Sequence, residues 1–267
     1  MGDFDETAPG FAPPPPPPPP PPSLGGQPTY LNYGASQIGP IGIFVSAKAL
    51  AVATQFFLAA DAVFLIILAV ERIQDRTQLN RVFTRSGSTL EMRGTVSGSS
   101  SVGGLLVLTI LGTIIVFIMW FYRSRKNADA LGDKVEYSPG MAIGGWFIPF
   151  VNYVFPIQIA IGMWSPRTQA NRKSKLVPGL WWATFAVGPW VAIYGQGLMA
   201  FSILDSILNE RPNRYWRDRW ARGSIISALG ELVLAASVLL AIALVRGITK
   251  AHDNRFAAAT SGGVAAF

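Results

Sequence analysis

Two carboxylates, Asp61 and Glu231, stand inside long apolar runs. An unpaired charge at the centre of a membrane-crossing helix costs about 2.5–3.5 kcal/mol. Acids in that setting either handle protons and cations or stay protonated and hydrogen-bond between helices. No Lys or Arg lies within either run, so both are expected to face the bundle interior, at least one with its proton. Asn152, Tyr153 and Gln158 are the expected polar neighbours. Other chemistry is sparsely supplied. There is no cysteine and a single histidine, His252, which argues against disulfides, thiol catalysis, Cys/His metal sites and a Ser–His nucleophile. Gly140, Gly144 and Gly145 lack the Lys-Ser/Thr of a phosphate-binding loop and read as close-packing positions. No catalytic residue, metal or cofactor is expected, and the chain reads as a non-enzyme.

The elements that must position these acids follow from composition. Half of the 267 residues are hydrophobic, 14% are charged and the mean hydropathy is positive, which is the balance of a multi-pass membrane protein. Spans are expected at about 49–70, 105–122, 176–204 and 225–245, each long enough to cross a bilayer. Between the second and third lies SPGMAIGGWFIPFVNYVFPIQIAIGMWSP, Ser138 to Pro166. It is nearly as apolar as a span but is interrupted by Pro149, Asn152 and Pro156. Each proline removes a donor and disfavours helix in the residue before it. Such backbone survives at membrane depth only when protein shelters it, so the other spans are expected to pack round it. Pro189 is expected to break or kink the third span. The fold class is therefore an all-α membrane protein with four transmembrane helices, a Pro-broken re-entrant or kinked segment and a disordered Pro-rich N-terminal tail, and charge bias alone does not decide between four and five spans.

The tail is expected over 1–42, the helical membrane domain over 43–250 and a flexible C-terminal tail over 251–267. Ten consecutive prolines, Pro13 to Pro22, form a polyproline II rod of roughly 30 Å. This rod is either a spacer or a ligand for a proline-recognising protein. Trp120 and Tyr122, followed by Arg123, Arg125 and Lys126, read as an interfacial belt. Trp216 and Trp220, four apart among arginines in 209–223, read as an amphipathic helix in the headgroups. The net charge of +7 is assigned to the lipid bilayer rather than to nucleic acid, because no nucleic-acid motif accompanies it.

WFYRSRKNADALG, then YSPGMAIGGWFIPFVNYVFPIQIAIGMW, then LVPGLWW stand in this order in the chain. In these motifs it resembles the uncharacterised bacterial membrane family catalogued as domain of unknown function 4328, over roughly Ala49 to Asn254. The resemblance implies a multi-pass inner-membrane protein with no assigned reaction or ligand. Two function classes stay open. The first is a structural or accessory protein bound to a membrane-protein partner, a homo-oligomer or a soluble partner. The second is a small transporter, channel or sensor using the intramembrane acids. With the central stretch re-entrant, both termini are expected in the cytoplasm. Asp61 and Glu231 then lie roughly 13 Å and 10 Å from the outer ends of their spans, at nearly the same depth.

Overall fold

The computed structural model describes residues 43–85, 99–166, 174–208 and 214–262. The Pro13–Pro22 rod and the expected tail over 1–42 lie outside the described residues, as do the basic residues Arg172 and Lys173. Among the described residues, five helices of ten residues or more carry the fold: α1 (Lys48–Arg85), α2 (Ser99–Ala130), α3 (Phe155–Trp164), α4 (Leu176–Leu208) and α5 (Arg214–Gly262). No strand occurs among the described residues. Among the described residues, four helices are long and apolar enough to cross a membrane, over Lys48–Gln74, Val102–Ala130, Leu176–Asp205 and Tyr215–Ser261. The architecture is that of an all-α, four-span membrane protein.

Neighbouring helices run antiparallel, and named contacts fix their registers. Along α1 and α5, Ser46 donates to Asp253 at 2.9 Å, Gln55 meets Arg246, and Arg72 meets Glu231 at 3.5 Å. Along α1 and α2, the Asn127 amide grips both Val45 N and Val45 O, at 3.2 and 2.9 Å, and Thr113 meets Asp61. Along α4 and α5, Ser237 donates to the Trp181 carbonyl at 3.3 Å, and Asp205 meets Arg219 at 3.6 Å. These registers put the start of α1, the end of α2, the start of α4 and the end of α5 at one end of the bundle, called here the terminal end. Stacking of Phe44 on Phe256, with centroids 4.2 Å apart, closes it. Among the described residues the number of crossings is even. A membrane-impermeant thiol reagent is therefore expected to reach cysteines placed at Ile43 and Ser261 from the same side. Labelling of one but not the other in intact cells would mean an odd count.

The segment between α2 and α4 enters and leaves at the terminal end, so it does not cross. α2 stops in a Schellman turn: Gly132, at φ +75°, donates to Asp129 O, and Asp133 N donates to Ala128 O, both at 2.9 Å. Glycine adopts this conformation without a Cβ penalty, so the NADALGD sequence ends the helix where it does. A single turn, Met141–Gly144, leads to Pro149 and a 3-10 turn, Val151–Tyr153. Pro156 then sits in the first turn of α3, where its missing N–H costs nothing. The expected shelter is present. Trp146 packs edge-on to Phe117, Phe121, Trp182 and Phe185, and Trp182 Nε1 donates to the Tyr153 carbonyl at 2.9 Å.

Several sequence expectations need correction. α4 is one continuous helix through Pro189, so that proline does not break it. Proline costs the helix a donor there, but packing on both sides holds it: Gly188 lies against Leu234 and Ala192 against Gly230. The C-terminal segment is not a tail from 251, because α5 continues to Gly262 with His252 buried. The headgroup helix expected over 209–223 is instead the first part of α5 from Arg214. Trp216 is 1% exposed and packs with Trp220 and Met199, so neither tryptophan is an interfacial anchor. Trp120 is likewise 0% exposed, and its Nε1 donates to Thr249 at 2.9 Å. Tyr122 is half-buried, with Lys126 Nζ 5.7 Å from its ring centre.

Candidate functional site

Three polar constellations lie inside the bundle. The first is Asp61, buried on the α1 face that also carries Leu58, Leu65 and Leu68. Thr113 on α2 donates to its Oδ2 at 2.5 Å. A threonine hydroxyl bonded to a carboxyl across two antiparallel helices is an interhelical tie of the kind worth about 0.6–2 kcal/mol in a membrane. Gly112 places the ring of Phe57 directly against α2 beside this tie, so the two helices approach closely at this level.

The second constellation joins α1 to α5. Ser227 donates to Glu231 Oε1 at 3.2 Å, and Arg72 Nε lies 3.5 Å from the same oxygen, with side-chain exposures of 4% for Glu231 and 17% for Arg72. A basic partner for Glu231 was not expected from the apolar runs. It exists because α1 runs on past Val70 to Arg85 and carries Arg72 into the interface. Arg72 follows Asp61, Leu65 and Leu68 at helical spacing, so it lies on the stripe α1 buries. That spacing was the available signal. Glu71 Oε2 and Glu231 Oε2 are both buried without a hydrogen-bond partner.

The register corrects the expected depths as well. Arg72, level with Glu231, is eleven residues beyond Asp61 on α1, about 16 Å at 1.5 Å per residue. The two acids therefore do not share a depth. The expected outer ends, Val70 and Ile225, were limits of hydropathy, whereas both helices extend beyond them and interlock. Nor do the polar residues of the central stretch reach either acid. Gln158 Oε1 accepts from the Tyr137 hydroxyl at 2.6 Å, the Tyr153 carbonyl accepts from Trp182, and Asn152 Oδ1 is buried with no hydrogen bond. Among the five residues expected to form one intramembrane site, Asp61 and Glu231 are separate, and Asn152, Tyr153 and Gln158 belong to the shelter of the broken segment.

The third constellation, at the terminal end, was not expected. Arg255 on α5 grips Asp133 with both terminal nitrogens, at 2.6 and 2.9 Å, and Asp133 has a side-chain exposure of 0%. Arg125, also buried, bonds Asp129 and donates to the carbonyls of Val135 and Tyr137 at 3.1 and 2.6 Å. It thus holds the chain leaving α2 against the helix end. Together with Asn127 on Val45 and Trp120 on Thr249, these bonds tie α1, α2, α5 and the broken segment into one junction. No group of three or more His, Cys, Asp or Glu residues suited to a metal occurs among the described residues.

Four antiparallel apolar helices, closed at one end round a re-entrant proline-broken segment, define a multi-pass helical membrane protein. The chain belongs to the family described as a domain of unknown function (DUF4328), whose model matches residues 84–250, more than half of its length. No curated protein and no solved structure matches it. The match begins at the end of α1, not near Ala49. Asp61 therefore lies outside the family's segment, whereas Glu231, the aromatic shelter and Asp133 lie within it.

Proposed function

We propose that this protein is a structural or accessory component of a bacterial inner-membrane assembly, working by binding rather than catalysis. The observation that carries the reading is that polar groups inside the bundle are engaged in ties between its own helices: Asp61 with Thr113, Arg72 with Glu231, Asp133 with Arg255. A bundle tied in this way is a scaffold. The terminal end carries Arg123, Lys126, Lys175, Arg246 and Lys250, and basic residues flanking spans ordinarily face the cytoplasm. On this reading both termini lie in the cytoplasm, and the Pro13–Pro22 run is a ligand for a soluble proline-recognising partner. Purification from native membranes in mild detergent tests this. A stoichiometric protein partner is expected, and a homo-oligomer enclosing a polar cavity would overturn it.

A second reading, a small transporter, channel or sensor, is favoured by the buried carboxyl oxygens that accept no hydrogen bond, Oδ1 of Asp61 and Oε2 of Glu71 and Glu231. Glu231→Gln and Asp61→Asn keep the hydrogen-bonding shape and remove the titration. On the scaffold reading both variants are expected to assemble and to support growth equally across external pH. A pH-dependent growth defect in a variant that still inserts and assembles would move the conclusion to the second reading.

A further inference from the structure

On the face where α4 meets α5, two hollows share Ile226 as a common wall. One is apolar and aromatic, lined by Val187, Trp190 and Tyr194 on α4, and both rings are 62% exposed. The other is lined by Tyr215, Asp218 and Arg222 on α5. Pairing of Trp181 with Ser237 and of Asp205 with Arg219 sets Arg222 about level with Ala200, some ten residues along α4 from Trp190. The groove is therefore about 15 Å long. This is half of a hydrocarbon core of about 30 Å, or one leaflet. Arg222 is the last charge before the apolar run of α5, so the charged end of the groove lies at headgroup level, away from the terminal end.

We propose that this groove holds one amine-bearing phospholipid of the phosphatidylethanolamine type, its phosphate on Arg222, its ammonium on Asp218 and an acyl chain along Trp190 and Tyr194. The charges select it. Arg222 Nε donates to the Asp218 backbone carbonyl at 3.2 Å and not to its carboxylate, which leaves both terminal NH2 groups for a phosphate and the carboxylate for a cation. Arg217 also approaches Asp218, at 3.7 Å, but both side chains are well exposed and such a pair is weak. Arg222 and Asp218 are four residues apart on one helix and so lie on one face, about as far apart as the two charges of a phosphoethanolamine head. A choline head carries no N–H for Asp218, and a glycerol head carries no cation.

The full chain is reconstituted into nanodiscs containing equal amounts of phosphatidylethanolamine, phosphatidylcholine and phosphatidylglycerol, extracted in mild detergent, and examined by native mass spectrometry. About one phosphatidylethanolamine per chain is expected to be retained in preference to the other two. Arg222→Gln is expected to lower that retention roughly tenfold, the scale of one charge-assisted hydrogen bond. Asp218→Asn is expected to keep a bound phospholipid while levelling phosphatidylethanolamine with phosphatidylcholine. Helix content and elution volume establish that each variant is folded. Equal retention of the three lipids by the unmodified chain, as for a bulk lipid shell, overturns the proposal. So does undiminished phosphatidylethanolamine on a folded Arg222→Gln chain.

Discussion

Gly230→Val is expected to force α4 and α5 apart and to destabilise the bundle by about 3 kcal/mol, at the upper end of overpacking costs. A Cβ at Gly230 would stand 2.6 Å from Ala192 Cα and closer still to the Ala192 nitrogen. At Gly195 it would stand 2.6 Å from the Gly223 carbonyl oxygen and closer to the Ser227 nitrogen. These are backbone atoms of the facing helix, which no rotamer change can move. The small residues let the helices approach until van der Waals contact and the Asp205–Arg219 and Trp181–Ser237 ties form together, the usual source of helix affinity in lipid. Gly197 lies in the same stretch of α4 with nothing within 4 Å of its would-be Cβ, so Gly197→Val is the control and is expected to be tolerated. Detergent-based unfolding of the three proteins checks this. Equal stability of Gly230→Val and Gly197→Val would show that α4 and α5 do not meet as described.

The physical reach of a hydropathy pattern explains what could be read in advance. Four long apolar spans were legible from run length, and Pro149 with Pro156 favoured a central stretch that does not cross, although charge bias alone left four and five crossings open. Helix ends were not legible. Hydropathy marks where lipid stops favouring a residue, whereas α1 and α5 carry buried or partly buried side chains past that limit, at Arg72 and at Thr249 and His252. On α5 the buried stripe runs through Glu231, Ala235, Val245 and Thr249 to His252, crossing the hydropathy limit near Val245 without interruption. A helical-period reading carried past the apolar run would have placed Arg72 and His252 on the buried stripes. The tryptophans misled for a different reason. Trp suits both a lipid–water boundary and a protein core that can accept its N–H, and composition does not separate the two. Trp120 is internal because Thr249 on another helix accepts its proton, a pairing across 129 positions that no local pattern displays.

Arg255→Ala is expected to cost about 3 kcal/mol, far above the 0–1 kcal/mol of an exposed ion pair. The asymmetry between the partners sets the size. Arg255 is 27% exposed and, once removed, is replaced by a small side chain at the rim, whereas Asp133 is 0% exposed and its carboxylate stays buried without the guanidinium. Breaking one side of such a pair costs more than the pair itself contributes, because the remaining charge has lost both water and its guanidinium partner. Asp133→Asn in the Arg255→Ala background removes that charge and is expected to recover much of the loss. The coupling energy of the double-mutant cycle then measures the tie between the turn after α2 and the end of α5. Unfolding in detergent for the two single variants, the pair and the parent gives all four corners. A cost below about 0.5 kcal/mol for Arg255→Ala would place Asp133 in contact with water and dissolve the junction as a structural unit. A large cost that Asp133→Asn does not relieve would assign it instead to the hydrogen bond from Arg255 to the Leu131 carbonyl at 3.3 Å, and so to the Schellman turn rather than to the charge.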